Sequence, residues 1–453
     1  MEEFAGGKIV AFQSLQRGIG KINLKGKTLL IPEMNRIGSH LLASVMRSFG
    51  INARVLPTFL GLDLGKEYTS GKECFPCQIT LGDILYFVKE ESKRSPKGFD
   101  PEEYLYFMPE AEGPCRFGMY NKYQRIVLDS LEELRDLKIV ALTTKDGYAL
   151  DGLIEKERVT DLRKVAYLSV VVGDVLDRLL WRIRPYQREK GSADLYVDSA
   201  TKEMEMAFER WGASKAFDRI IERLLDLLEG ARGIIDPTIP QRPKIGIVGE
   251  IYVRSHIRSN QDTIRMIETY GGEVVNASIA EWMNYTSYER LREAKRDLYL
   301  SLRRWRLGRV REALRRILNY GGDLLYQQMR QKQVFKEVRK VIPLPADHKI
   351  SHLEGILKDT GLYNFDVGTE ACLSIPGALS YVEEGYNGVV NLYPFTCMPS
   401  TITAAILRPL MAKMNIPYLD LAYDSSVQPN REVAIRTFMY QATLHFKKQR
   451  KGN

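Results

Sequence analysis

The stretch TLLIPEMNRIGSHLLASVMRSFGINARVLP, residues 28–57, decides the fold class. Its first part, TLLIPEM, predicts a buried strand, and NRIGSHLLASVMRSFG then predicts a helix that ends at Gly50. ARVLP predicts a second strand. A strand, a helix and another strand in succession form the unit from which parallel sheets are built. The stretch therefore predicts an α/β domain.

The same alternation extends outward in both directions along the chain. LYFMPE and KIVALTT add strands, so that residues 1–155 form a first α/β domain. Residues 156–240 are helical and charged and end in a Gly/Pro-rich linker. KIGIVGEIYV, residues 244–253, opens a second α/β domain over 241–453, with a helical insertion at about 286–340. We expect two Rossmann-like or flavodoxin-like parallel-sheet domains with long helical insertions.

Composition bounds the class of protein. The chain has 453 residues, 44% of them hydrophobic and 27% charged, which is typical of globular domains. Its first residues are acidic and lack a long apolar run, so they do not resemble a secretory signal. The most apolar window, residues 165–181, contains Gly173, Asp174, Asp177 and Arg178 and is too charged to span a bilayer. We expect a cytoplasmic protein without membrane insertion.

Three cysteine loops share one arrangement. Cys74 and Cys77 form a C-x-x-C in GKECFPCQITLGD, residues 71–83. Cys115 and Cys397, like this pair, lie in a Pro- or Gly-containing loop between a predicted strand and a predicted helix. Ligands of open α/β sheets bind beyond the carboxyl ends of the strands, and helix N-termini there favour thiolates. The loops therefore predict a shared metal or redox site.

The remaining cysteine and the kind of site stay open at this level. Cys372, in GTEACLSIPGAL, either lines the same region or fills space. A redox dithiol would leave Cys115 and Cys397 unexplained, and structural zinc commonly uses two C-x-x-C knuckles where this chain has one. Single cysteines from several loops suit an iron–sulfur cluster better.

One segment concentrates positive charge. The chain carries a formal net charge of +9, and SLRRWRLGRVREALRR, residues 301–316, contains seven Arg and one Glu. A helix with such a face is either solvated or a docking surface for an acidic partner or phosphates.

Several motifs resemble one family. TSGKECFPCQITLGD, GPCRFGMYNKYQR, VGEIYVRSHIRSNQ with EWMNY, and YPFTCMPST with IPYLDLAYD are similar to proteins related to the activators of 2-hydroxyacyl-CoA dehydratases. These proteins are distant relatives of the dehydratase subunits and of the double-cubane-cluster reductases. The resemblance covers about residues 28–445.

The resemblance implies a 4Fe–4S type cluster between two α/β domains and an ATP-hydrolysing, actin-like-fold activase as the electron donor. The resemblance implies most strongly that Cys74, Cys77, Cys115 and Cys397 are the cluster ligands. Polar residues near the same loops, which either support the site or serve as ordinary caps and ion pairs, are Asn35, Arg116, Glu250 and Arg254. GLDLGKEYTS, residues 61–70, superficially resembles the activase's phosphate loop, but it lies between a strand and the cysteine loop and is predicted to be a decoy.

The leading hypothesis is thus an iron–sulfur redox protein of the dehydratase or reductase type that acts on a small molecule or passes electrons on. Four thiolates would complete the cluster, whereas three would leave one iron open. A double cubane shared across a homo-oligomer would take three ligands from each chain; the sequence permits this without indicating it. The alternative is a zinc-stabilised, non-enzymatic α/β module that binds nucleic acid or a partner through its Arg-rich helix.

Overall fold

The first sheet is formed by the N-terminal third of the chain. In this computed structural model, residues 18–452 are described, apart from 97, 112, 144–147, 149, 151 and 306. The predicted absence of a secretory signal concerns the first residues, which lie outside this range. The strands are β1 Ile19–Gly20, β2 Thr28–Ile31, β3 Asn52–Val55, β4 Tyr104–Phe107 and β5 Lys138–Val140. They are all parallel, in the order β1-β5-β4-β2-β3.

Helices connect these strands. They are α1 Arg36–Ser48, α2 Leu62–Glu67, α3 Phe75–Arg94 and α4 Tyr120–Ser130. The Asn35 side chain caps α1 by accepting a hydrogen bond from the Gly38 N–H, which satisfies one of the free donors at the helix start.

A three-helix segment follows the first sheet. It contains α5 Lys156–Ile183, α6 Ser192–Trp211 and α7 Phe217–Ala231. The long apolar window of the sequence lies in α5, which is buried against α1; a side chain at Gly173 would meet the backbone of Gly38. No helix among the described residues is both long and apolar enough to cross a membrane.

The second sheet contains β6 Lys244–Gly249, β7 Glu273–Asn276, β8 Gly388–Pro394 and β9 Tyr418–Tyr423. It is also entirely parallel, in the order β7-β6-β8-β9. Its helices are α8 Ile251–Ser255, α9 Thr263–Thr269, α10 Ile279–Arg303, α11 Leu307–Val341, α12 Ile350–Thr360, α13 Ala371–Glu383, α14 Met398–Lys413 and α15 Arg431–Gly452. The predicted α/β class with two parallel sheets is confirmed.

The two sheets repeat one topology. Apart from the short edge strand β1, the chain in each sheet starts at an inner strand, adds a strand on one side, then crosses to the other side: β2, β3 and β4 in the first sheet correspond to β6, β7 and β8 in the second. The change of direction falls between β2 and β4, and between β6 and β8. Ligand crevices of open α/β sheets lie at these switch points.

The Arg-rich segment differs from the single helix that the sequence predicts. It forms the tip of a helical hairpin, because α10 ends at Arg303 and α11 begins at Leu307. Trp305 lies in the turn with a left-handed backbone, φ +52°, and this breaks the helix. Arg306 lies outside the described residues.

Candidate functional site

Three of the five cysteines line one cavity between the two sheets. Cys74 follows β3, Cys115 follows β4 and Cys397 follows β8, and all three contribute to a cavity of about 240 Å³. The loops after β2 and β6 also line it, through Met34 and Glu250. The cavity therefore lies where the switch points of both sheets face each other.

Cys74 is held in a strained backbone conformation. It is the residue immediately before α3, and its φ of +94° and ψ of 142° fall in a region that is almost restricted to glycine. A non-glycine residue there costs about 1–3 kcal/mol, and such strain is concentrated at functional sites. The strain indicates that the direction of the Cys74 side chain matters more than the local stability of the loop.

The other two cysteine loops are tied together. Cys115 Sγ accepts a hydrogen bond from the Phe117 N–H at 3.5 Å. Thr396, directly before Cys397, has a left-handed φ of +63°. The Arg116 guanidinium donates to Thr396 Oγ1 at 2.9 Å, which joins the loop of the first sheet to that of the second. Arg116 thus lines the cavity, and its hydrogen bond goes to the opposite loop.

Burial raises the pKa of all three thiols. Burial raises the pKa of Cys74 well above its ordinary value, and Glu250, Cys397 and Cys115 add to this. Burial and then Glu370 raise the pKa of Cys115 to about 12, and the same two causes raise that of Cys397. Three buried thiols whose ionisation is disfavoured form a site in which a bound cation would be needed to stabilise the thiolates.

Two buried carboxyl groups complete the lining. Glu250 caps α8, since its carboxylate accepts from the N–H groups of Tyr252 and Val253 at 3.0 and 2.8 Å. Glu370 Oε1 accepts from the Ile251 N–H at 2.9 Å. Burial raises the pKa of Glu250, and burial together with Glu250 raises the pKa of Glu370 to about 8. The cavity is therefore rich in groups that would become negative.

Three hydrogen bonds favour the thiolate forms. The Tyr120 hydroxyl bonds to Cys74 and opposes the rise of its pKa. Cys397 Sγ donates to Ser400 Oγ at 3.6 Å when it is protonated, and Ser400 favours its thiolate. The Phe117 N–H does the same for Cys115.

Cys77 and Cys372 lie outside this cavity. Cys77 is in the first turn of α3, has no exposed surface and packs in the core of the first sheet, together with Leu81 and Tyr106. Cys372 is the second residue of α13, is also fully buried, and its thiol donates to the Phe365 carbonyl at 3.4 Å. The structure therefore brings together three of the five cysteines and places the other two in apolar cores.

The remaining sequence-predicted residues lie near the site without lining it. Asn35 caps α1 and donates to Asp177 at 2.8 Å. Arg254 is buried and donates to the Ser278 carbonyl at 3.4 Å, while its charge opposes the rise of the pKa of Glu250 and Glu370. Sequence reasoning missed Glu370, Tyr120 and Ser400. Each lies within five residues of a cysteine, and this proximity is the only feature of the sequence that indicated a role at the site.

The arrangement does not match a single metal ion. Among the described residues, no three Cys, His, Asp or Glu side chains converge closely enough to hold one ion. Zinc needs such convergence, because its thiolate ligands all lie about 2.3 Å from one atom. A cluster of several irons fills the space between its ligands, so its thiolates surround a cavity instead. Thiolates are the ligands that iron–sulfur clusters take, so the three thiols fit a cluster by their ligand type.

No protein-family model matches the chain, and no curated protein matches it at a significant level. The geometry of the cysteine cavity is therefore the main basis for a functional conclusion.

Proposed function

We propose that the protein is an iron–sulfur redox protein in which Cys74, Cys115 and Cys397 hold a 4Fe–4S cluster between the two α/β units. The observation that carries this proposal is that three thiols, from loops of both sheets, line one buried cavity. Three cysteine ligands leave one iron of such a cluster without a protein thiolate. When bound, the cluster would supply single electrons and an open iron for a substrate donor.

The protein's own residues would set the reduction potential of this centre. Negative groups lower the potential of an iron–sulfur cluster, whereas hydrogen bonds to its sulfurs raise it. Glu250 and Glu370 lie on the lowering side when they are ionised, and Tyr120 and Ser400 lie on the raising side. Three thiolates beside these two carboxyls support a low potential once the pH exceeds the raised pKa of the carboxyls, and a low potential requires an energised electron donor.

We further propose that this donor is an ATP-hydrolysing activase, which the charge of the hairpin tip steers towards the protein. Arg303, Arg304 and Arg309 are exposed there, and Trp305 is 88% exposed. Arg316, at the end of the same segment, forms an ion pair with Asp297 within the hairpin at 2.7 Å. Exposed positive charge around an aromatic side chain fits a transient, electrostatically steered contact with an acidic partner.

The test is anaerobic purification followed by iron, acid-labile sulfide and zinc analysis. We expect iron and sulfide in similar amounts, with visible absorbance that bleaches on addition of dithionite. The matched control is a variant in which Cys74, Cys115 and Cys397 are all Ser, and it should be colourless after the same reconstitution. Stoichiometric zinc without iron, in protein reconstituted with iron and sulfide, would overturn the proposal.

A further inference from the structure

A second cavity adjoins the cysteine cavity. It has a volume of about 370 Å³, within the range of about 300–1,000 Å³ that is usual for small-molecule sites. Four of the described residues line both cavities: Met34, Pro109, Tyr148 and Ile279. A molecule bound in the second cavity would therefore lie next to the three thiols.

The wall of this second cavity is mainly apolar. It is formed by side chains from α1, α5, α10 and the strand ends of the first sheet, among them Leu42, Met46, Phe107, Leu142, Val170 and Met283. Ala166 keeps one side of it open because its side chain is small. Such a wall stabilises an apolar molecular body and no charged one.

The mouth of the cavity is polar and lies between α5 and α11. Arg163 and Asp323 form an ion pair there, and Lys164 lies beside them with its Nζ 5.9 Å from the ring centroid of Tyr326. Thr160 and Gly322, also on the rim, are exposed. Lys164 is thus placed to meet an anionic group that enters with the apolar body inward.

One polar atom inside the wall has no partner. Gln327 Oε1 is buried, and no residue in the described part of the chain donates a hydrogen bond to it. A buried acceptor without a donor is unfavourable, so an acid whose body also carries a hydroxyl or N–H donor is favoured there over a plain fatty acid.

We infer that the second cavity binds a small carboxylic acid with an apolar body, its carboxylate at Lys164 and its far end towards the thiols. The inference that the acid binds rests on the shape and lining of the second cavity and does not depend on the cluster. The role of the acid as a redox substrate rests on the proposed iron–sulfur function.

Calorimetric titration of the anaerobically purified full chain tests the inference with butanoate, hexanoate, octanoate and octanamide. Because each buried methylene contributes about 0.8 kcal/mol, we expect the Kd to fall about fourfold per methylene until the cavity is full. Ala166→Leu fills the cavity and should weaken octanoate at least tenfold. Lys164→Gln should weaken octanoate about tenfold and leave octanamide unchanged. Lys156→Gln, on an exposed position of the same helix, is the matched control and should bind as wild type.

Two results would overturn the inference: affinities that do not rise with chain length, or equal octanoate affinity in wild type, Ala166→Leu and Lys164→Gln. If Ala166→Leu fails to fold, the Lys164→Gln pair of titrations decides alone, since Lys164 lies at the rim. Iron is measured in the same samples. Iron-free protein that binds octanoate contradicts only the cluster, and iron-loaded protein that does not bind contradicts only the acid site.

Discussion

At the scale of single residues, the C-x-x-C separates into two roles. Cys74 precedes α3 and lines the cavity, whereas Cys77, three residues later, is one turn into the helix and faces an apolar core. A helix turn rotates successive side chains by about 100° each, so residues at the start of a helix need not share a target with the residue before it. The spacing alone could not show this, because it says nothing of where the helix begins.

Single cysteine variants should reflect this division. We expect Cys74→Ser, Cys115→Ser and Cys397→Ser to lower the iron content of anaerobically purified protein by at least half each, since each removes one of the three proposed ligands. Cys77→Ala and Cys372→Ala should keep the wild-type iron content, although each leaves a small core cavity that lowers stability by about 1 kcal/mol. Iron and protein determination on the five variants checks this. Loss of iron in Cys77→Ala with retention in Cys74→Ser would reverse the ligand assignment.

At the scale of elements, the glycines of GLDLGKEYTS serve packing. Gly61 precedes α2 and Gly65 lies within it, and a Cβ on either would overlap the backbone of α3 at Gly82 or Gln78. That this segment does not bind a nucleotide stays a prediction. The contacts show that its glycines are needed for helix packing. They let α2 lie directly on α3, the helix that begins at Cys74.

Substitution in this contact should loosen the cysteine loop. Gly82→Ala places a Cβ against the Gly61 backbone, and overpacking of this kind costs about 1–3 kcal/mol. Gly355→Ala, in the interior of α12 with open space around it, is the control and should raise stability by about 0.5–1 kcal/mol. Thermal unfolding of both variants measures the difference. A Gly82→Ala protein as stable as wild type would mean that the α2–α3 contact can open at no cost.

The hairpin tip gives a second prediction at this scale. Arg303→Glu, Arg304→Glu and Arg309→Glu combined should slow ATP-dependent reduction by the activase at least tenfold at low salt, since steering depends on exposed charge. Reduction by dithionite should be unchanged. Arg219→Glu, an exposed position on α7, is the charge control. Equal loss in both assays would show that the tip is structural, and no loss in either would show that its charge is only solvated.

At the scale of the whole molecule, the sequence predicts the two parallel sheets well because buried parallel strands are nearly continuous apolar runs, as in β6 and β8. It predicts the site less well. The lining of the cavity depends on how the two sheets face each other, and Glu370 reaches it from the start of α13, far from the second sheet's β6 in sequence. Periodicity marks elements, but no local pattern encodes which loops of separate sheets meet.

A buried hydrogen-bond chain also joins the two units. The Thr58 hydroxyl, after β3, donates to Asp83 Oδ2 at 2.9 Å and lies 3.0 Å from His256 Nε2, just after α8. The Phe59 N–H donates to Asp83 Oδ1 at 2.7 Å. Burial raises the pKa of Asp83 to about 8, and burial lowers the pKa of His256 to about 3.

The stability of the molecule should therefore fall as the pH rises from 6.5 to 8. In this window His256 is neutral when folded and largely neutral when unfolded, whereas Asp83 is protonated only when folded. The unfolded state thus binds fewer protons than the folded state. The contribution of Asp83 to the free energy of unfolding therefore falls by about 1–2 kcal/mol across the window. Asp83→Asn should remove that part of the pH dependence. Chemical unfolding at several pH values checks it, and identical slopes for wild type and variant would contradict the raised pKa.

The division of the site between two sheets has a consequence for biosynthesis. Roughly 280 residues separate Cys115 from Cys397, so a ribosome completes the first sheet, with two of the three thiols in place, long before the third thiol exists. Nascent chains fold domain by domain from the N-terminus. In the proposed iron–sulfur protein, delivery of iron and sulfide would accordingly follow release of the second sheet, and a chain interrupted in between would expose two of the three thiols to oxidation.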